Sequence, residues 1–123
     1  MDRDQVRLRA ILSGERIDAG ALGRLFAEDV HLRVGSAAPA VGKRRALAEL
    51  ARLLDRVDAV GGVFHEVWQV GETCFVETEI TYAGPGGRTT AIPCVVIVRP
   101  HAGLVQDIRF YLDPTPLPAL RPR

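Results

Sequence analysis

The chain has 123 residues, enough for one domain with a real core and too few for two. Sixteen lysines and arginines stand against fifteen aspartates and glutamates, a net charge of +1 with 6% aromatic residues, so neither a basic stripe nor a stacking surface for nucleic acid is present. No apolar run approaches a membrane span, and the opening Met1-Asp2-Arg3-Asp4-Gln5 carries mixed charge where a secretory leader has a basic and then an apolar region. The expectation is a cytoplasmic protein without membrane or nucleic-acid partners.

Good helix formers dominate from Asp4 to Leu12 and Ser13-Gly14 supplies a stop, which predicts a first helix. Asp18 caps a predicted second helix, with Leu22, Leu25 and Phe26 as its buried stripe and an end near Ala27. Val30 to Val34 alternates strictly and reads as a strand, and the small residues from Gly35 to Gly42 read as a loop. From Lys43 to Val57 the residues Leu47, Leu50, Ala51, Leu53 and Leu54 recur at intervals of three and four, the strongest helical signal in the chain. Val63 to Val70 and Thr73 to Tyr82 read as strands parted by Gly71-Glu72, and Thr89 to Asp113 as a hairpin turning at Pro100-His101-Ala102-Gly103. The tail from 114 to 123 holds four prolines and adds no regular element. The order is helix, helix, strand, helix and four antiparallel strands: one α+β domain over residues 1–113, with its three helices on one face of a curved, mainly antiparallel sheet.

Two cysteines, Cys74 and Cys94, fall on neighbouring predicted strands with side chains on opposite faces, so both are expected as free thiols, in keeping with a reducing compartment. Neither their spacing nor nearby histidines suggests a metal site, and no cofactor is implied.

The segment Leu25-Phe26-Ala27-Glu28-Asp29-Val30, the Gly-bounded third helix and a meander ending Ile108-Arg109-Phe110-Tyr111-Leu112-Asp113 resemble the nuclear-transport-factor-2-like superfamily, and within it the SnoaL-like proteins and ketosteroid isomerases. The resemblance runs from residue 4 to 113 and rests on the order of elements. It implies a cone in which the concave sheet face and the helices enclose a pocket for a small molecule, often in a homodimer, on a fold that serves enzymes and non-enzymes alike. Carried over residue by residue, it places Val34 where the isomerases have their general-base aspartate, Val95 where they have a protonated aspartic acid, and Ala10 near their tyrosine. All three polar groups are replaced, so the steroid isomerase mechanism does not carry over.

The same alignment sets a parity for each strand, because successive side chains alternate. With Val34 and Val95 inward, the predicted wall is Val30, Leu32, Val63, His65, Val67, Val76, Thr78, Ile80, Ala91, Pro93, Ile97, Gln106, Ile108, Phe110 and Leu112, with Cys74 and Tyr82 at the rim. His65 titrates near neutrality and is the candidate for proton transfer; the plainer alternative is a histidine hydrogen-bonded at the pocket edge. Thr78 and Gln106 are candidates to orient a ligand polar group, or are satisfied within the core. The outer set contains Phe64, Trp68, Phe75, Ile92, Cys94, Val96, Val98, Arg109 and Tyr111, an apolar patch ringed by charge that reads as a homodimer interface.

Three functions remain open. The first is a SnoaL-like isomerase or cyclase acting on an apolar small molecule through His65. The second is a non-catalytic ligand-binding or dimeric scaffolding module, favoured by the missing aspartates. The third, implied by related epoxide hydrolases, uses Asp107 and Arg109, which the parity places outside the cone in interfacial charge pairing.

Overall fold

The computed structural model describes residues 19–55, 62–83, 89–113 and 115. In chain order they form α1 (Ala19–Gly23), β1 (Phe26–Val34), β2 (Ala40–Val41), α2 (Lys43–Asp55), β3 (Gly62–Val70), β4 (Thr73–Ala83), β5 (Thr89–His101) and β6 (Leu104–Leu112). One six-stranded sheet runs β2-β1-β6-β5-β4-β3, antiparallel except where β1 lies parallel to β6. The predicted helix Asp4 to Leu12 and the tail beyond Thr115 lie outside the described residues.

The expected second helix is corrected. It ends at Gly23, and Phe26 and Ala27 belong to β1. Two contacts distant in sequence decide this. The Gly23 backbone approaches α2 so closely that a Cβ there would meet Leu47 Cδ2 at 2.5 Å. The carbonyl of Leu25 then accepts the Val105 amide at 2.6 Å, which draws the chain into the parallel pairing with β6. The expected loop from Gly35 to Gly42 likewise contains a short strand, β2, paired with His31 and Leu32.

Gly42, at φ 97°, turns the chain into α2 and its carbonyl accepts the Ala46 amide at 2.9 Å. Ala46, Leu50 and Leu53, spaced at four and three, are the buried stripe of α2. They join the core on one side of the sheet, here called the inner face, with Leu32, Cys74, Val76, Val96, Ile108 and Phe110.

Cross-strand partners share a face, so the register alone defines the rows. One inner row reads Val67, Val76, Val96, Phe110 and Val34 across five strands. Two outer rows read Trp68, Phe75, Ile97, Arg109 and Arg33, and Glu66, Glu77, Val95 and Tyr111. The parity expected of β5 is therefore inverted. Ile92, Cys94, Val96 and Val98 are at most 3% exposed and lie inside, whereas Ala91 and Pro93 are exposed and Val95 and Ile97 half-buried.

The cause is a bulge. A regular hairpin closed by Ala102-Gly103 would pair Ile97 with Ile108, but the register shifts between Arg99 and Pro100, so Val98 meets Ile108 and Arg99 meets Asp107. Gln106 is the extra residue on β6 and Pro100, which has no amide hydrogen to lose, stands at the shift. The two cysteines are consequently on the same face, contrary to expectation. They are free because Cys74 is paired with Val98 and Cys94 with Thr78, four residues apart along β4 or roughly 13 Å, beyond disulfide reach.

The β5–β6 turn puts Ala102 at φ 52° and Gly103 at φ 79°. Two positive φ values suit a tight hairpin loop, but an L-residue with a Cβ is strained at the first of them. Ala102→Asn is expected to stabilise the protein by about 0.5–1 kcal/mol, read as a higher urea midpoint at unchanged slope. A lower midpoint would contradict this account of the turn.

Candidate functional site

Six residues expected to line the cone, Val34, Val76, Thr78, Ile80, Ile108 and Phe110, are buried on the inner face, and Val67 packs partly buried against them. Ile92, Cys94 and Val96 join this wall and are corrected from interface to interior; Val95 and Ile97 are corrected from wall to outer face. Phe64 is paired with Thr78 in the register of β3 on β4, and its side chain lies outside the described ones.

Thr78 is the one buried polar side chain among the described residues, and none of their buried side-chain nitrogen or oxygen atoms lacks a hydrogen-bond partner. Gln106, extruded by its bulge, donates from Nε2 to the Asp29 carbonyl at 3.4 Å and so ties β6 to β1. The described wall is thus apolar, with its polar groups already engaged.

Burial pushes the Cys94 thiol from 9.0 up to about 12, so it stays protonated and unreactive. His65 stands where the register of β3 against β4 shifts, between Phe64 opposite Thr78 and Glu66 opposite Glu77. Strict alternation from Val63 to Val67, which had placed His65 inside, is interrupted at His65 itself. The side chains of His65 and Tyr82 lie outside the described ones.

On the outer face, Asp107 accepts from Arg109 Nε at 3.0 Å and lies 3.6 Å from Arg99 Nη1. The Arg109 guanidinium is held above its ordinary pKa first by the hydrogen bond with Asp107 and then by that with Tyr111. With His31, Arg33 and Pro39, Asp107 and Arg109 line a cavity of about 40 Å³, room for little more than a water molecule. The epoxide-hydrolase reading fails here: these residues face away from the wall, and their carboxylate and guanidinium are spent on each other. A second, open groove of about 470 Å³ is lined by Glu77, Glu79, Pro93, Val95 and Tyr111 among others. His31 and His101 are exposed, and no group of three metal-ligating side chains occurs among the described residues.

The pairing of Glu66 with Glu77 and of Arg33 with Arg109 was not foreseen from the sequence. Each depends on a register that the bulges set. Pro100 within a strand is the one signal that points to a bulge.

An apolar inner wall closed by helices on a sheet of this order matches a known pattern, and the SnoaL-like domain family matches residues 8–108. The chain belongs to that family. A putative SnoaL-like polyketide cyclase from Jannaschia sp. CCS1 superposes with a TM-score of 0.70 at 18% identity, over 80% of this chain and 74% of that one. A protein of ketosteroid isomerase-like fold from Catenulispora acidiphila, in complex with trimethylamine, gives 0.72 at 18% identity over 90% and 85%. An NTF2-like protein of unknown function from Burkholderia pseudomallei gives 0.77 at 16% identity over 94% and 95%. Comparison with curated protein sequences finds no match. The SnoaL-like chain therefore has the α+β, NTF2-like fold with a curved, mostly antiparallel sheet. None of its described helices is long and apolar enough to cross a membrane.

The state of Cys94 gives a pH prediction. Its pKa is raised on folding, so its contribution is fully present below the unfolded value of 9.0 and is lost as pH rises toward about 12. Unfolding free energy should fall above pH 9 by about 1.4 kcal/mol per pH unit from this group. Cys94→Ala should remove that slope, and native Cys94 should resist iodoacetamide at pH 8 while the unfolded chain is alkylated. Rapid alkylation of the native protein at Cys94 would show the site to be open.

Proposed function

We propose that this SnoaL-like chain holds an apolar small molecule between the inner face of its sheet and its helices. The observation that carries this is the composition of the wall: across β1, β4, β5 and β6 the buried inner-face side chains are apolar apart from Thr78. Such a surface gains by burying apolar ligand area and has few polar groups to fix orientation, the usual make-up of a small-molecule site. Its free, buried thiols suit a reducing, cytoplasmic setting.

A second reading adds catalysis. His65 sits at a bulge, a device that re-aims side chains and is frequent beside active sites, and an imidazole is a side chain suited to proton transfer in an isomerase or cyclase. The engaged state of Thr78 and Gln106 and the valine at position 34 favour plain binding over this chemistry.

The outer face is read as a subunit surface. Trp68 and Tyr111 are 44% and 48% exposed there, beside half-buried Phe75 and the charged Arg109. Exposed aromatics with arginine are what interfaces enrich.

Native mass spectrometry of the purified protein tests binding and assembly together. The expected species is a dimer retaining a discrete apolar adduct that denaturation releases. If His65 is the proton carrier, His65→Ala lowers turnover of that ligand by about 10²-fold or more and leaves its affinity intact. Unchanged turnover would reduce His65 to a structural residue, and a protein that retains and binds no apolar ligand would defeat the proposal.

A further inference from the structure

Across β1 and β6, Arg33 is paired with Arg109, and in the neighbouring row of the same face His31 is paired with Asp107 and Asp107 with Arg99. Like charges set directly opposite on strands about 4.8 Å apart repel. The Asp107 carboxylate offsets part of this, since its Oδ1 accepts from Arg109 Nε at 3.0 Å and lies 3.6 Å from Arg99 Nη1. Arg33, half-buried like Arg109, makes no ion pair with any described residue. The charges therefore alternate from Arg99 through Asp107 to Arg109, and the alternation breaks between Arg109 and Arg33, where two cations meet.

The break coincides with the cavity of about 40 Å³ walled by His31, Arg33, Pro39, Asp107 and Arg109. The backbone around it is pinned. The pairing of β2 with His31 and Leu32 draws in Pro39, the residue before that strand. The intervening turn is closed by the Gly35 amide on the Phe110 carbonyl at 2.8 Å and the Ala37 amide on the Val34 carbonyl at 3.1 Å. Arg33 Nε donates to the Ala37 carbonyl at 3.0 Å, and Arg109 Nε to Asp107. Each guanidinium is thus held through its Nε, so little side-chain ordering is left to oppose binding.

We propose that this cavity binds the carboxylate of a small organic acid, bridged between Arg33 and Arg109. A carboxylate is planar, carries one negative charge and accepts from the guanidinium fork in its own plane. The cavity admits the two oxygens of such a group and is too small to enclose a phosphoryl group, so the body of the acid stays outside. Asp107 stands in the same cavity and repels a second carboxylate, but its charge is already held between Arg99 and Arg109; the added anion continues the alternation to Arg33. The site is separate from the apolar inner wall. It lies at the β1–β2 flank of the outer face, away from Trp68 and Phe75 on β3 and β4, and so rests on neither the ligand nor the subunit reading above.

The test is a titration of the full chain, labelled with ¹⁵N-arginine, with sodium acetate against sodium chloride at matched ionic strength. The Nε–H signals of Arg33 and Arg109 should shift saturably with acetate in the millimolar range, as two charge-assisted contacts at a half-exposed site give. Arg33→Gln should raise the acetate Kd by about tenfold or more, and Arg33→Lys, which keeps the charge and loses the fork, by roughly threefold. Acetate should also raise the urea midpoint of the wild type and not that of Arg33→Gln. Shifts that fail to saturate or that chloride reproduces would reduce the effect to screening and overturn the site. Tighter binding of inorganic phosphate at the same signals would overturn the carboxylate assignment. Signals that respond to protein dilution but not to acetate would assign the anion to a protein side chain, against the proposal. Should Arg33→Gln unfold by circular dichroism, Arg33→Lys carries the test, and an unchanged acetate affinity there overturns the bridge.

Discussion

Everything in this chain depends on the register of the β4–β5–β6 ladder. A β-strand has one bit of freedom per register step: a slip by one residue sends every side chain to the other face. The ladder places Val76 opposite Val96 and Val96 opposite Phe110, which makes one face continuous apolar wall for α2 to cover. It simultaneously places Phe75 opposite Ile97 and Ile97 opposite Arg109, leaving a mixed face open. The core and the proposed interface are two sides of the same pairing.

The elements that were legible in the sequence are those with a local cause. The helix from Lys43 announces itself by its leucine spacing, and β3 to β6 by their β-branched runs and glycine-bearing turns. The end of α1 was not legible, because it is set by contacts distant in sequence. Gly23 meets Leu47, and the Leu25 carbonyl meets the amide of Val105. Parallel pairing between the first and last strands has no turn to mark it, so Phe26 and Ala27 looked like the tail of an amphipathic helix.

The site was half legible for a related reason. Val34, Val76, Thr78, Ile80, Ile108 and Phe110 lie on stretches of unbroken alternation and are buried on the inner face, as the alternation has it. Val95 and Ile97 were exchanged with Cys94, Val96 and Val98 because their parity was taken from the resemblance, which set Val95 inward, while the bulge at Gln106 fixes the register the other way. The regular hairpin implied by Ala102-Gly103 is off by one residue beyond Pro100. The run Ile92, Cys94, Val96 and Val98 is also the more uniformly apolar of the two alternating sets on β5, and Pro93 and Arg99 belong to the other. Weighing those two sets against each other finds the buried face without any family alignment.

The two bulges that open in β3 and β6 insert His65 and Gln106, the residues that an unbroken alternation would have sent inside as polar members of the wall. At Gln106 the outcome is visible: the extra residue spends its amide on the Asp29 carbonyl and joins the sheet's parallel seam. A bulge thus removes a polar side chain from the alternation without breaking the apolar rows on either side. His65 interrupts β3 in the same way, opposite the stretch of β4 that carries Thr78 inward and Glu77 outward. Local pattern and global fold disagree at these two positions. Such disagreements persist where a strand must serve something other than its own pairing.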